Sequence, residues 1–95
     1  VVVGCGRIIL RIHQSRSLKG KRQVVKAVVA RVRNHFNAAV AEVEDHDIYQ
    51  RAVIGVALVG NDTGLINAQL DKLLDFVEDL GLAEMTDSEM EIIHL

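Results

Sequence analysis

Hydrophobic positions along this chain recur every second residue in four stretches and every third or fourth residue in two. Residues 1–13 form the first alternating stretch. Ile8, Leu10 and Ile12 fall on one side of an extended strand, and Arg7, Ile9, Arg11 and His13 fall on the other. Ser15-Arg16-Ser17 reads as a turn, with Ser17 placed to cap the helix that follows. Over residues 18–36 the apolar spacing lengthens, and Leu18, Val25, Val28, Val29, Val32 and Phe36 make one buried stripe. A second strand is expected at 38–45, where Ala39, Ala41 and Val43 alternate with Val40, Glu42 and Glu44. Asp45-His46-Asp47 forms a polar hairpin tip before a third strand, 49–59, which is apolar on both faces and therefore central. Asp62 is placed to cap a second helix reaching residue 80. That helix has Ile66, Leu70, Leu73, Val77 and Leu80 on one side, and Asp71, Asp75, Glu78 and Asp79 dominate the other. Gly81 suits the position just past its end. Residues 88–94 set Met90 and Ile92 against Glu89, Glu91 and Ile93 and form a last strand.

This βαββαβ order, with right-handed crossovers, predicts a ferredoxin-like α+β sandwich. Its four-stranded antiparallel sheet should run in the order 4-1-3-2, with both helices on one face. The two strands that pattern as longest, the first and third, are those the topology places centrally. A length of 95 residues fits one domain, 1–95, near the lower limit for a self-sufficient core. A content of 49% hydrophobic and 25% charged residues excludes a disordered chain. No run approaches the ~20 apolar residues that span a bilayer. The opening residues lack the basic segment and apolar core of a signal peptide. A single cysteine, Cys5, makes no intramolecular disulfide, as suits a reducing compartment. A cytoplasmic protein with no membrane partner is expected.

Charge changes the picture. Of the eleven basic residues, nine precede position 42, and all thirteen carboxylates lie at or after it. The net charge of −2 therefore hides two oppositely charged halves. Such polarisation implies pairing between the halves, a negatively charged partner for the first half, or both.

The run Arg16-Ser17-Leu18-Lys19-Gly20-Lys21-Arg22, then Val24-Val25-Lys26, carries a further signal. With it come Phe36-Asn37, Val40-Ala41-Glu42-Val43, Tyr49-Gln50-Arg51-Ala52-Val53 and Gly60-Asn61-Asp62. In this order and spacing they resemble the YlxP-like family of small bacterial proteins, a domain of unknown function. The resemblance covers nearly the whole chain. It implies the ferredoxin-like fold and no established activity. Family genes often lie beside those for translation initiation and ribosome maturation, an association only. Two positions depart from the family pattern. Gly20 stands where Glu is usual and would complete a capping box with Ser17, a change worth ~1 kcal/mol at the helix start. Tyr49 stands where Trp is common.

Arg16, Ser17, Lys19, Lys21, Arg22, Lys26 and Arg33 are the candidate anion- and RNA-binding residues. Cations crowd the start of the first helix, where the macrodipole is already positive, so stability alone does not select them. A phosphate received by free backbone N–H groups and basic side chains makes the arrangement sensible. By helical angle Lys19, Arg22, Lys26 and Arg33 share one side. The competing explanations are a solvated face or pairing with the acidic second helix.

Ile9, Val53, Val59 and Ile93 should lie on the uncovered face of the sheet, an apolar patch suited to a homodimer. Arg7 and Arg11 should sit there beside Glu89 and Glu91. The edge strand at 38–43, with few gatekeeping charges, offers a second route to self-association. The central strands lack the aromatics on which an RRM stacks bases. His13, Arg51 and the Asp45-His46-Asp47 tip would have to share a pocket for metal or acid–base chemistry, and their spacing matches no ligand motif. No nucleophile, cofactor site or metal site is assigned, and Cys5 has no local base to activate it. The expectation is a non-enzymatic protein that binds RNA or ribosome phosphates through its basic helix. The alternative is a scaffolding module that acts as a homodimer, and a small-molecule or catalytic domain ranks third.

Overall fold

The computed structural model describes residues 1–95. Its elements are β1 (Val2–Arg11), α1 (Leu18–His35), β2 (Ala39–Glu44), β3 (Arg51–Gly60), α2 (Thr63–Leu80) and β4 (Glu84–His94). The sheet runs β2-β3-β1-β4 with every neighbouring pair antiparallel, which is the expected order read from the other edge. This is the ferredoxin-like arrangement.

Alternation decides the faces. On β1 and β3, Ile8, Leu10, Ala52, Ile54 and Val56 turn inward and pack with Val25, Val28 and Val32 of α1 and Leu73 and Val77 of α2. A smaller cluster of Val2, Leu58, Ile66 and Leu70 continues the core under the start of α2. Both helices therefore lie on one face. Their ends are set by local chemistry. Ser17 Oγ accepts from the Gly20 N–H at 3.1 Å, and Asp62 Oδ1 accepts from the Leu65 N–H at 2.9 Å. Gly81 ends α2 in the left-handed region at φ 67°, where a side chain is strained.

The last strand begins earlier than the pattern predicts, at Glu84 instead of residue 88. Thr86-Asp87-Ser88 has loop-like polarity, yet β1 pairs across it with a register shift between Ile9 and Leu10. That irregularity absorbs Thr86 and hides the alternation in the sequence.

Gly6, in the middle of β1, lies so close to β4 that a Cβ there would collide with the Glu89 carbonyl and the Met90 sulfur. Backbone cannot retreat without breaking the ladder. Gly6→Ala should therefore cost about 2–4 kcal/mol, more than most single changes, as measured by urea denaturation.

Candidate functional site

The start of α1 is built from three local features. Ser15 Oγ donates to the Ser17 carbonyl at 3.1 Å and holds the approach to the helix. The Ser17 cap uses the Gly20 N–H, and the Lys21 N–H takes the Ser17 carbonyl at 3.1 Å. The N–H groups of Leu18 and Lys19 precede the first intrahelical acceptor and point outward. No acidic residue occupies the first turn. Beside it a cleft of about 680 Å³ opens between the β1–α1 loop, the first turns of α1 and the α2–β4 loop. Arg11, Arg16 and Ser17 line it with Gly20, whose missing side chain keeps it open. His13 Nε2 meets Glu84 Oε2 at 2.6 Å on its wall.

Arg16, Lys19, Arg22, Lys26 and Arg31 are all exposed. The lysines and arginines of the protein form four ion pairs, and none involves these residues. The carboxylates of α2 thus leave the basic helix unneutralised. Internal pairing goes instead to the sheet, where Arg7 donates to Glu44 and Glu89, each at 2.7 Å. The bonds to Glu89, then Glu44, push that guanidinium still higher above its usual range.

Two of the expected anion-binding residues are otherwise engaged. Lys21 is only 1% exposed. Its Nζ forms an ion pair at 2.9 Å with Glu42 Oε2, a buried oxygen that makes no hydrogen bond, and donates its hydrogen bond to the Asp45 carbonyl. The reason is angular. Lys21 precedes Val25, Val28 and Val32 at helical spacing and so lies on the inward stripe. Arg33 is exposed, but its Nη2 donates to the Val40 carbonyl at 2.7 Å.

The open face also differs from expectation. Val53 belongs to it but is 1% exposed, enclosed in register between Ile9 of β1 and Glu44 of β2, and offers nothing to a partner. Ile9 is half-buried. Val59, 71% exposed, and Ile93, 44% exposed, flank Val3 in one row across β3, β1 and β4. Arg11 stands opposite Glu84, not Glu91, because in an antiparallel pair that sets Arg7 opposite Glu89, Glu91 falls opposite Cys5. The β2 edge, expected to carry few gatekeeping charges, is covered by side chains bound to its main chain. His46 Nε2 lies 3.2 Å from the Glu42 carbonyl and, with Arg33, covers the edge. Neither cap is legible in the chain, because a side chain's bond to a main-chain oxygen leaves no mark on composition.

The hairpin tip meets the start of α1 through the Asp45 carbonyl and Lys21, and not through a pocket shared with His13. The cleft contains His13 without His46 or Arg51, and Arg51 Nε binds Asp45 Oδ2 at 2.8 Å. No three His, Cys, Asp or Glu side chains stand close enough to hold a metal. The tertiary structure also gathers an aromatic group that the sequence keeps apart. His35 stacks on Phe76 at 4.4 Å, with Phe36 edge-on beside them.

The family described as "Protein of unknown function (DUF503)" matches residues 3–90. The "Uncharacterized protein YlxP" of Bacillus subtilis (strain 168) is 32% identical over 80 residues, covering 84% of this chain and 87% of that protein. Among solved structures, a de novo designed protein with ferredoxin fold superposes with a TM-score of 0.52 at 10% identity, over 98% of this chain and 83% of that one. SnoaB, a cofactor-independent oxygenase from Streptomyces nogalater, gives a TM-score of 0.51 at 12% identity, over 99% and 92%. Both are likenesses of fold. No helix is long and apolar enough to cross a membrane.

Removing the buried ammonium should be costly because Glu42 is left without its partner. Lys21→Ala is expected to destabilise by roughly 3 kcal/mol, whereas Lys21→Met with Glu42→Leu should recover most of that loss. Equilibrium denaturation of the single and double variants measures both.

Proposed function

The chain belongs to the DUF503 family of proteins of unknown function, and on that footing we propose that it is a non-enzymatic protein whose first helix contacts the phosphates of RNA, in the ribosome or free. The observation that supports this reading most is the row of exposed cations on and beside α1 with no carboxylate within ion-pair distance. Arg16, Lys19 and Arg22 repel one another and the positive end of the helix. A polyanion relieves both repulsions and gains entropy from released counterions. Arg11 and Arg16 at the cleft extend the surface around the helix start. Contacts of this kind position a ligand without reading its sequence, and the sheet has no aromatic platform to add base selectivity. The acidic side of α2 repels phosphates and confines the ligand to the α1 side.

Lys19→Glu with Arg22→Glu should abolish RNA retention at physiological salt. In filter binding the salt-dependence slope of a residual complex should fall by about 1.4–1.8, since each lost phosphate contact removes about 0.7–0.9. Unchanged retention after this double reversal would falsify the proposal.

A homodimer built on the open face is a second reading, favoured by the exposed Val59 and Ile93 beside Val3. Val59→Glu with Ile93→Glu should then give a monomer with unchanged circular dichroism. A parent protein that sediments as a monomer at ~100 μM rejects it.

A further inference from the structure

The edge of β2 is closed by side chains, and one of them belongs to the basic helix. In an antiparallel pair, alternate residues turn both main-chain groups toward the neighbour, and those between turn them outward. Val40 and Glu42 pair with Val56 and Ile54, yet their carbonyls accept from Arg33 and His46. These are therefore the outward groups of an edge strand, the kind that templates pairing with another chain.

We infer that Arg33 is a latch on this edge, and that a polyanion drawn onto α1 releases it so that β2 pairs with β2 of a second copy. The inference rests on the polyanion-binding reading of α1. A two-fold axis through Ala41 sets Val40 of one copy opposite Glu42 of the other and closes four main-chain hydrogen bonds. No free like charges meet in this arrangement. Each Glu42 carboxylate is held by its own Lys21, each Glu44 by its own Arg7, and Ala39 and Ala41 present only methyl groups. Arg33 is exposed and shares its side of α1 with Lys19, Arg22 and Lys26. A ligand following those residues reaches it. Phosphate oxygens attract a guanidinium more strongly than a neutral carbonyl does, so the exchange favours release. The remaining cap, His46 at 3.2 Å from an exposed turn, is the weaker one.

Sedimentation of the full chain, with and without inorganic polyphosphate, tests the latch. Arg33→Ala with His46→Ala should dimerise without polyphosphate, with a dissociation constant at least about tenfold below that of the parent protein. The parent should dimerise only when polyphosphate is added. Ala41→Lys, which sets two ammonium groups across the axis, should return both to monomers. Lys19→Glu with Arg22→Glu should lose the response to polyphosphate, but should still dimerise when Arg33→Ala and His46→Ala are added. If the uncapped variant stays monomeric, the latch is wrong while the surface reading of α1 stands. The latch is equally wrong if dimers resist Ala41→Lys, through bridging by the polyanion or through contacts that Val59→Glu with Ile93→Glu breaks. Failure of the parent to bind polyphosphate overturns the coupling together with the reading beneath it.

Discussion

A charged group removed from water must bring its partner with it, and Lys21 imposes that condition on the fold. Its ammonium is enclosed between α1 and β2, where Glu42 and the Asp45 carbonyl receive it. An unpaired charge there would cost several kcal/mol, so the first turns of α1 and the β2–β3 hairpin hold each other in place. Asp45 adopts φ 60° at this junction. Its carbonyl also accepts the Ile48 N–H at 3.1 Å, and its carboxylate holds Arg51. Turning Lys21 inward fixes the rotation of the helix, and that rotation sends Lys19, Arg22 and Lys26 outward.

The polarised charge of the chain is thus divided by face. Pairing between its halves is carried by the sheet and its borders, through Arg7, His13 and Lys21, while Arg51 pairs with Asp45 inside the acidic half. The helices instead meet through rings, with His35 and Phe36 of α1 against Phe76 of α2. No ion pair joins the two helices, so one stays basic and the other acidic.

Small residues shape the far side of the sheet. Val43, left out of the β2 register, leans over Gly55, and Val53 disappears between its neighbours. Exposed apolar surface on this face lies at Val43 and in the row where Val59, Val3 and Ile93 align. The β2 edge beside it depends on Arg33 and His46 to satisfy its outward carbonyls. Basic helix and sheet edge are therefore physically joined through one guanidinium.

The sequence by itself determined the element order, the faces of most strands and both helix starts. Each follows from interactions within a few residues: alternation along a strand, three- and four-residue spacing along a helix, and a cap reaching three residues ahead. It also set Arg7 on the strand beside Glu89 and Glu91, since antiparallel pairing of the first and last strands follows from the topology, while the register that joins Arg7 to Glu89 comes from the fold. The start of β4 is not legible because an irregular register breaks the period that reveals a strand. Lys21 reads as one more surface cation although its spacing to Val25, Val28 and Val32 aligns it with the core stripe. A lysine is read as solvated until a buried carboxylate is seen to meet it, and Glu42 arrives from another element. The tertiary structure alone decided which cations are free, which valines are covered and which edge is closed. Those outcomes depend on partners twenty or more residues away for Lys21 and Arg7, for Val53 on strands that flank it from both sides, and for Arg33 on the way α1 packs beside β2, distances and orientations that no local pattern encodes.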